Sequence, residues 1–504
     1  MALSRLQQVS IVEEAVEGTA ESFATLFTAA NSKYLIIDPS LDLSVNVFER
    51  NIKRESLTRL QSLTGTKTGS LRFTMELTGD STVSPFAVPA WGLPLRACGF
   101  RQEKLIRVPI TSITGGPVLH GTSISQAGTG ATGVVIGTTY TGEPYLWVAQ
   151  ENQLGHTPTG NISAFNNSGS ITAGSATITP NGAASVQGTV SGTSITVPAG
   201  YAWYPVSYPL SKMTVGAITG SPAAGSAIYG ATSKAVGILT TTITGGAQTV
   251  YYRRVSGNFS SGENVSATPG GSTIFATTSV GSQFQLPSLT MGMSKDSVRE
   301  SIKSARGTVT FSGRIGEPML MTFEFQGGLN EVSAGVPAQD AGNITGVTYS
   351  AQIPPVMLDA DLKHGKSATS YTDMYGPCIT SIDIAMANEI AFRECMADAA
   401  GIQETILASR TPTISIDPEL VTEGSWDYLT QFTANTGSRA SLTLGSSAQN
   451  SFTFKIGGIN WTGVTTGDRN GIATRQLSGA LNGGSQTVGA TSSDNELILI
   501  YSNV

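Results

Sequence analysis

Ser301 to Gly327 reads SIKSARGTVTFSGRIGEPMLMTFEFQG, and Thr453 to Gly479 reads TFKIGGINWTGVTTGDRNGIATRQLSG. The two stretches run together without a gap: Lys303 meets Lys455, Val309 meets Trp461, Phe325 meets Leu477 and Gly327 meets Gly479. Just upstream, one residue out of register, Ser288-Leu289-Thr290-Met291-Gly292 meets Ser441-Leu442-Thr443-Leu444-Gly445. Each reads as strand, turn, strand, Gly-rich turn and strand. In the first, Met319, Met321, Phe323 and Phe325 lie on one face, the period of two that marks a half-buried strand. A mainly β chain is expected, with one β unit present twice.

The match extends upstream. Trp91 to Cys98 (WGLPLRAC) has helical character and ends at Gly99, which suits a glycine C-cap. Trp426 to Asn435 (WDYLTQFTAN) does the same and ends near Gly437. A strand pair precedes each helix: Asp42 to Arg50 with Leu71 to Leu77, and Ile379 to Glu394 with Ile402 to Ile416. In the second half only Ser438 to Ala440 separate helix and next strand, whereas in the first Gly99 to Pro287 intervene. That interval contains a repeat of its own, because Ile113-Thr114-Gly115 through Val134-Val135 recurs as Ile218-Thr219-Gly220 through Ile238-Leu239. Between Asn152 and Tyr252 its only Lys, Arg, Asp or Glu residues are Lys212 and Lys234. Charge-solvated disorder requires more, and its Val, Ile, Thr and Tyr content suits small β modules with Gly turns. The expected organisation is a discontinuous first domain (1–100 with 283–345), inserted Gly/Thr-rich modules (101–282, repeats at about 108–160 and 213–270) and a second domain (346–504).

Composition agrees. Charged residues are 13% of the 504, against ~25% in ordinary proteins, and the 58 glycines point to many tight turns. The net charge of −6 argues against a nucleic-acid-binding surface, which gathers Lys and Arg. No apolar run nears the ~20 residues of a membrane-spanning helix. Met1 to Ala20 carries Glu13, Glu14 and Glu17 and has no basic-then-apolar pattern, so no signal peptide is expected. Cys98, Cys378 and Cys395 are too scattered for a disulfide framework and are expected to be reduced, buried thiols made in the cytosol.

Three phrases resemble the tail tube (major tail) proteins of long-tailed bacteriophages. Pro89-Ala90-Trp91-Gly92-Leu93-Pro94-Leu95-Arg96-Ala97-Cys98-Gly99-Phe100 is similar to the family's proline–tryptophan entry and helix end, although Pro94 stands where leucine is usual. Ser304-Ala305-Arg306-Gly307-Thr308-Val309, then Gly316-Glu317-Pro318 and Phe323-Glu324-Phe325, is similar to its central hairpin. Gly467-Asp468-Arg469-Asn470-Gly471-Ile472 with Asp494-Asn495-Glu496-Leu497 looks like its C-terminal ending.

The resemblance implies tandem β-sandwich tube domains with short helices, whose sheets join those of neighbouring copies into a closed barrel with no edge left unpaired. Such rings are hexameric or pseudo-hexameric, so three chains with two domains each would close one, or six chains if each supplies a single domain. Stacked rings would form the tail tube of a virion assembled in the host cytoplasm. Tape-measure, tail-terminator and tail-tip proteins would be partners, and DNA would pass through the lumen without specific binding. The loop from Lys53 to Gly69 is the expected contact between stacked rings, through Lys53, Arg54, Leu57, Arg59, Leu60 and Leu63; an ordinary solvated hairpin loop is the alternative. Carboxylates, among them Glu76, Asp80, Glu324 or Asp383, would line the bore. The role of Ser4 to Ala29 is open.

No catalytic or cofactor constellation is found. His120, His156 and His364 sit in loop-like contexts beside glycines, and zinc requires more convergent ligands. Asp359, Asp361 and Lys363 after Pro354-Pro355 read as a solvated linker. Asp468-Arg469-Asn470-Gly471 reads as a hairpin turn rather than a calcium loop. A structural, non-enzymatic protein is expected, with a tail-tip or decoration protein, or a surface adhesin, as alternatives.

Overall fold

The computed structural model describes residues 7–15, 18–50, 52, 61–80, 87–140, 142–150, 162–192, 194–206, 210–223, 225–239, 242–256, 259–281, 286–296, 298–333, 336–337, 339–341, 344–365, 374–422, 424–445, 450–483 and 495–502. The fold is mainly β, with three short helices among the described residues.

One unit occurs twice with the same pairings. In the first, Gln7–Glu13 pairs with Leu289–Lys295, which pairs with the long strand Val298–Arg314. That strand also takes Gln339–Ala341 and Leu320–Leu329, and the sheet continues through Leu63–Glu76 to Ile37–Phe48. In the second, Asp361–Gly365 pairs with Ser438–Leu444, which pairs with Ser451–Arg469. Ile498–Ser502 and Ile472–Leu481 flank that strand, and the sheet continues through Thr413–Ile416 to Ser381–Ala385. The helices Gly92–Ala97 and Tyr428–Thr433 occupy the same place in chain order. Each follows a fully buried tryptophan, Trp91 or Trp426. The first ends at Gly99, whose φ of 89° closes the helix in the left-handed conformation that glycine adopts without a Cβ penalty. The second is capped by Asp427, which accepts from the Thr430 N–H at 2.9 Å.

Two strands replace what the sequence presented as tails. Gln7–Glu13, of open role, is the first strand of the first unit, and Asp361–Gly365 is a strand rather than a solvated linker. Both are short, and their partners lie far along the chain, so local periodicity does not mark them. The gapless match between the two hairpins is also corrected. Gln326 and Ser478 occupy the same row, yet they pair with Arg306 and Gly463, residues that the alignment sets five positions apart. The second hairpin closes tightly at Arg469 and Ile472, whereas the first keeps a longer turn beyond Ser312 and Leu320.

The inserted region holds two closed six-stranded barrels of one topology. In the first, Phe100–Thr114 pairs with Tyr145–Ala149, then Ala131–Val135, Ser123–Gln126, Ile171–Ala173 and Ala176–Pro180, which returns to Phe100–Thr114. In the second, Leu210–Val215 pairs with Gln248–Ser256, then Val236–Leu239, Ala227–Gly230, Asn264–Ser266 and Thr273–Gly281, which returns to the start. The strands run to Pro180 and Gly281, past the ends at 160 and 270 read from the sequence. Each barrel has its own core, Ile106, Val148 and Ile178 in one and Val250, Tyr252 and Phe275 in the other. Gly200–Pro205 leaves the insertion and pairs with both Ile498–Ser502 and Phe100–Thr114, welding the insertion to the second unit.

Candidate assembly interface

The two units meet edge to edge. Thr310 to Arg314 pairs antiparallel with Ser381 to Ala385, so Phe311 stands opposite Ile384 and Ser312 opposite Asp383. Eight strands thereby form one continuous sheet across the chain. On one face Phe73, Phe311, Phe323, Ile382 and Ile384 enter a core shared by both units, where Phe311 meets the Phe454 ring edge-on at 5.3 Å. Burying an isoleucine such as Ile384 contributes about 1.5–3 kcal/mol.

The same two kinds of edge recur at the ends of this sheet. Among the described residues, no strand pairs with the far side of Ile37–Phe48 or with the far side of Trp461 to Arg469. The first of these edges is apolar. Leu43, Val45, Val47 and Phe48 are 40%, 42%, 51% and 59% exposed, whereas Ile384 is fully buried. The equivalence of Leu43 and Ile384 is legible in sequence, because Ser40-Leu41-Asp42-Leu43 matches Ser381-Ile382-Asp383-Ile384. Such an edge presents a row of unpaired backbone groups and invites a further strand.

Above the joint, the hairpin Asn388–Glu394 with Ile402–Arg410 lies across the first unit. The Asn388 side-chain amide donates to the carbonyls of Cys98 at 2.7 Å and Gly307 at 2.9 Å. Lys303 forms an ion pair with Asp398, and the Lys67 N–H donates to the Ala400 carbonyl at 2.9 Å. Beneath it lies a buried polar knot. Ser304 adopts φ 52° at a bulge, so its N–H turns to Glu14 Oε1 at 2.6 Å while its hydroxyl accepts from the Thr405 N–H at 2.9 Å. Glu14 also accepts from the hydroxyls of Ser288 at 2.7 Å and Thr290 at 3.0 Å. Burial pushes the Glu14 carboxyl above its usual range, although these donors oppose the shift. Arg306, also buried, donates to the Thr405 and Leu286 carbonyls. The N-terminal segment, the first unit and the second unit's hairpin are thus fastened at one point.

The opposite face of the joined sheet is polar and solvent-exposed to varying degrees. Alternation places Asp42, Glu76, Glu324 and Asp383 on it, together with Arg72 and Arg314. Arg72 and Glu324 pair at 3.3 Å. Asp80 lies beyond the strand end, and its N–H donates to the Tyr501 hydroxyl at 2.9 Å.

Of the residues expected to contact another ring, Lys53, Arg54, Leu57, Arg59 and Leu60 lie outside the described residues. Leu63 begins the strand Leu63–Glu76 and is 56% exposed, so the expected loop is strand from Leu63 to Gly69. His156 lies outside the described residues, and His120 sits in a turn beside Gly121, as expected. His364 is buried in Asp361–Gly365 between Trp426 and Trp461, with Nε2 2.9 Å from the Ser438 hydroxyl. His120 is buried, and its Nδ1 accepts from the Gly137 N–H at 3.1 Å. Burial lowers both imidazoles to a pKa of about 3. Asp361 pairs with Lys363 at 2.8 Å. Cys98 is buried, but Cys378 is exposed and Cys395 half-buried, against the expectation of three buried thiols. Asn470 and Gly471, at φ 54° and 85°, make the tight turn.

No protein-family model matches this chain, and no curated protein matches it. Among the described residues, no helix is long and apolar enough to cross a membrane, and no three His, Cys, Asp or Glu side chains gather where one metal ion could be held.

Proposed function

We propose that this chain is a structural virion protein that closes into rings through its open sheet edges, and that the rings stack into the tail tube of a long-tailed bacteriophage, the conduit for DNA delivery. The observation that carries this reading is the edge-to-edge joint between Thr310–Arg314 and Ser381–Ala385, with both partner edges open, among the described residues, at the ends of the joined sheet. A joint that can be made once between like units can be repeated between chains until no edge remains.

Each chain brings eight strands, so three chains make a pseudo-hexameric ring of 24. At ~4.8 Å between strands and a tilt of ~40°, such a barrel is about 48 Å across its backbone, room for a double helix after side chains are counted. Because one face of the sheet packs on the shared apolar core, the other face is the one that would turn to the bore. The Ser/Thr-rich face with Asp42, Glu76, Glu324 and Asp383 is the one left over. Carboxylates outnumber the arginines Arg72, Arg314 and Arg469 there, which suits passage of DNA without retention. The sequence resemblance supports the assignment to a phage tail, and the inserted barrels would decorate the tube's outside.

Electron microscopy of the purified full-length chain tests this. Hollow tubes with a regular ring repeat are expected. Monomers alone under all assembly conditions would overturn the reading, and closed rings that never stack would favour a tail-tip component.

A further inference from the structure

The correspondence between the units fixes a register for the next copy. In the first unit Asp42, Ser70, Gln326 and Arg306 lie side by side across four strands. In the second, Asp383, Ser415, Ser478 and Gly463 make the same row. At the joint inside the chain Asp383 stands opposite Ser312, six residues beyond Arg306. Six residues beyond Gly463 is Arg469.

We infer that Ile37–Phe48 of a second copy adds antiparallel to the open side of Trp461 to Arg469 with Asp42 opposite Arg469, Leu43 opposite Asp468 and Ser44 opposite Gly467. This inference rests on the ring reading and deepens it by naming how the partner sits. Three observations converge on it. The edge strand is apolar and exposed where its counterpart is sealed: Leu43 against Ile384. The faces agree, since Leu43 lies on the core side like Leu41, and Asp468 shares the side of Val464, which packs against the core. Finally, the hairpin that continues from Ser381–Ala385 crosses the first unit, so the exposed end of Ile37–Phe48 at Val47 and Phe48 has a matching place on the second unit of the neighbouring copy. There Leu429, 55% exposed on the helix Tyr428–Thr433, is open to meet it.

The register differs from the one that the gapless sequence match would give, which sets Leu43 against Gly463 and turns every side chain of the added strand to the wrong face. Cysteine pairs separate the two. In the full-length chain carrying Cys378→Ser and Cys395→Ser, Leu43→Cys with Asp468→Cys should give a ladder of covalent oligomers under mild oxidation. Leu43→Cys with Gly463→Cys should stay uncrosslinked. Amide hydrogen exchange of the unmodified protein gives a second reading: slowing at 42–44 and 467–469 is expected on assembly. Crosslinking through Gly463→Cys, or tubes with neither crosslink nor slowed exchange, would overturn this register and leave the ring reading standing. Absence of assembly in the unmodified chain would instead remove the reading on which it rests.

Discussion

Leu43 and Ile384 hold the same position in two copies of one unit, and their surroundings are opposite. Ile384 is sealed because Thr310–Arg314 runs alongside it, whereas Leu43 is 40% exposed and, among the described residues, has a strand on one side only. The same contrast separates the two hairpins that rise from these strands. One is fastened to its neighbour by Asn388, Asp398 and Thr405, and the other presents Val47 and Phe48 to solvent. A duplicated unit thus contains both a completed joint and the two halves of an uncompleted one. The completed one belongs to folding; in the ring reading proposed above, the uncompleted one belongs to assembly.

The largest expected effect comes from placing a charge at either position. Ile384→Asp puts an unpaired carboxylate into the shared core and should cost the monomer more than ~4 kcal/mol. Leu43→Asp should leave monomer stability within ~0.5 kcal/mol and abolish rings. Denaturant unfolding read beside electron microscopy distinguishes the two, and equal destabilisation would break the comparison.

Next is the knot under the fastened hairpin. Arg306→Met removes bonds to the Thr405 and Leu286 carbonyls and takes a cation from beside buried Glu14; a loss of about 3 kcal/mol is expected by chemical denaturation.

A pH series should then separate the units. His364 has a folded pKa of about 3 against an ordinary value near 6.5. The unfolded chain therefore binds the extra proton between those values, and stability falls as pH drops through that window, by up to ~1.4 kcal/mol per unit. The first unit carries Ser10 and Ile11 in the corresponding strand. Hydrogen exchange at pH 7 and pH 4.5 should show the second unit loosening more, with His364→Phe removing much of the difference.

The two barrels allow a finer test. In the second, buried Glu263 accepts the N–H groups of Thr232, Ser233 and Ser260 at 3.1, 3.0 and 2.6 Å, and together these donors hold its carboxyl below the usual range despite burial. In the first, Gln126 spans the same two loops from the other side, donating to the Asn166 and Gly169 carbonyls at 2.8 and 2.7 Å. Glu263→Ala and Gln126→Ala should each cost about 1–3 kcal/mol, confined to the barrel that carries the change. Acid should weaken only the contact made by Glu263, as pH falls from the unfolded value through its lowered one. The smallest effect belongs to the hairpin turns: Asn470→Ala, at φ 54°, should cost about 1 kcal/mol in thermal unfolding.

Much of this fold was legible because duplication repeats local signals. Alternating Met319, Met321, Phe323 and Phe325, the two tryptophan-led helices and the Gly-rich modules each announce themselves within a short window. What stayed hidden depends on pairing over long distances. Gln7–Glu13 finds its partner some 280 residues away, Gly200–Pro205 joins Ile498–Ser502, and nothing local encodes either match. Asp361–Gly365 looked solvated because Asp361 and Lys363 face out while Leu362 and His364 face in, an alternation masked by the preceding prolines. Polarity makes the loop after Lys53 the conspicuous candidate for an interface. The better signal was the match of Ser40-Leu41-Asp42-Leu43 to Ser381-Ile382-Asp383-Ile384, which identifies one edge twice.

The most direct measurement is a cryo-electron microscopy reconstruction of the assembled protein at residue level. Three chains per ring and an unbroken 24-stranded barrel are expected, with Ile37–Phe48 of each chain paired to Trp461–Arg469 of the next. A ring in which those two strands face away from each other, or in which the barrel is broken between chains, would contradict this arrangement.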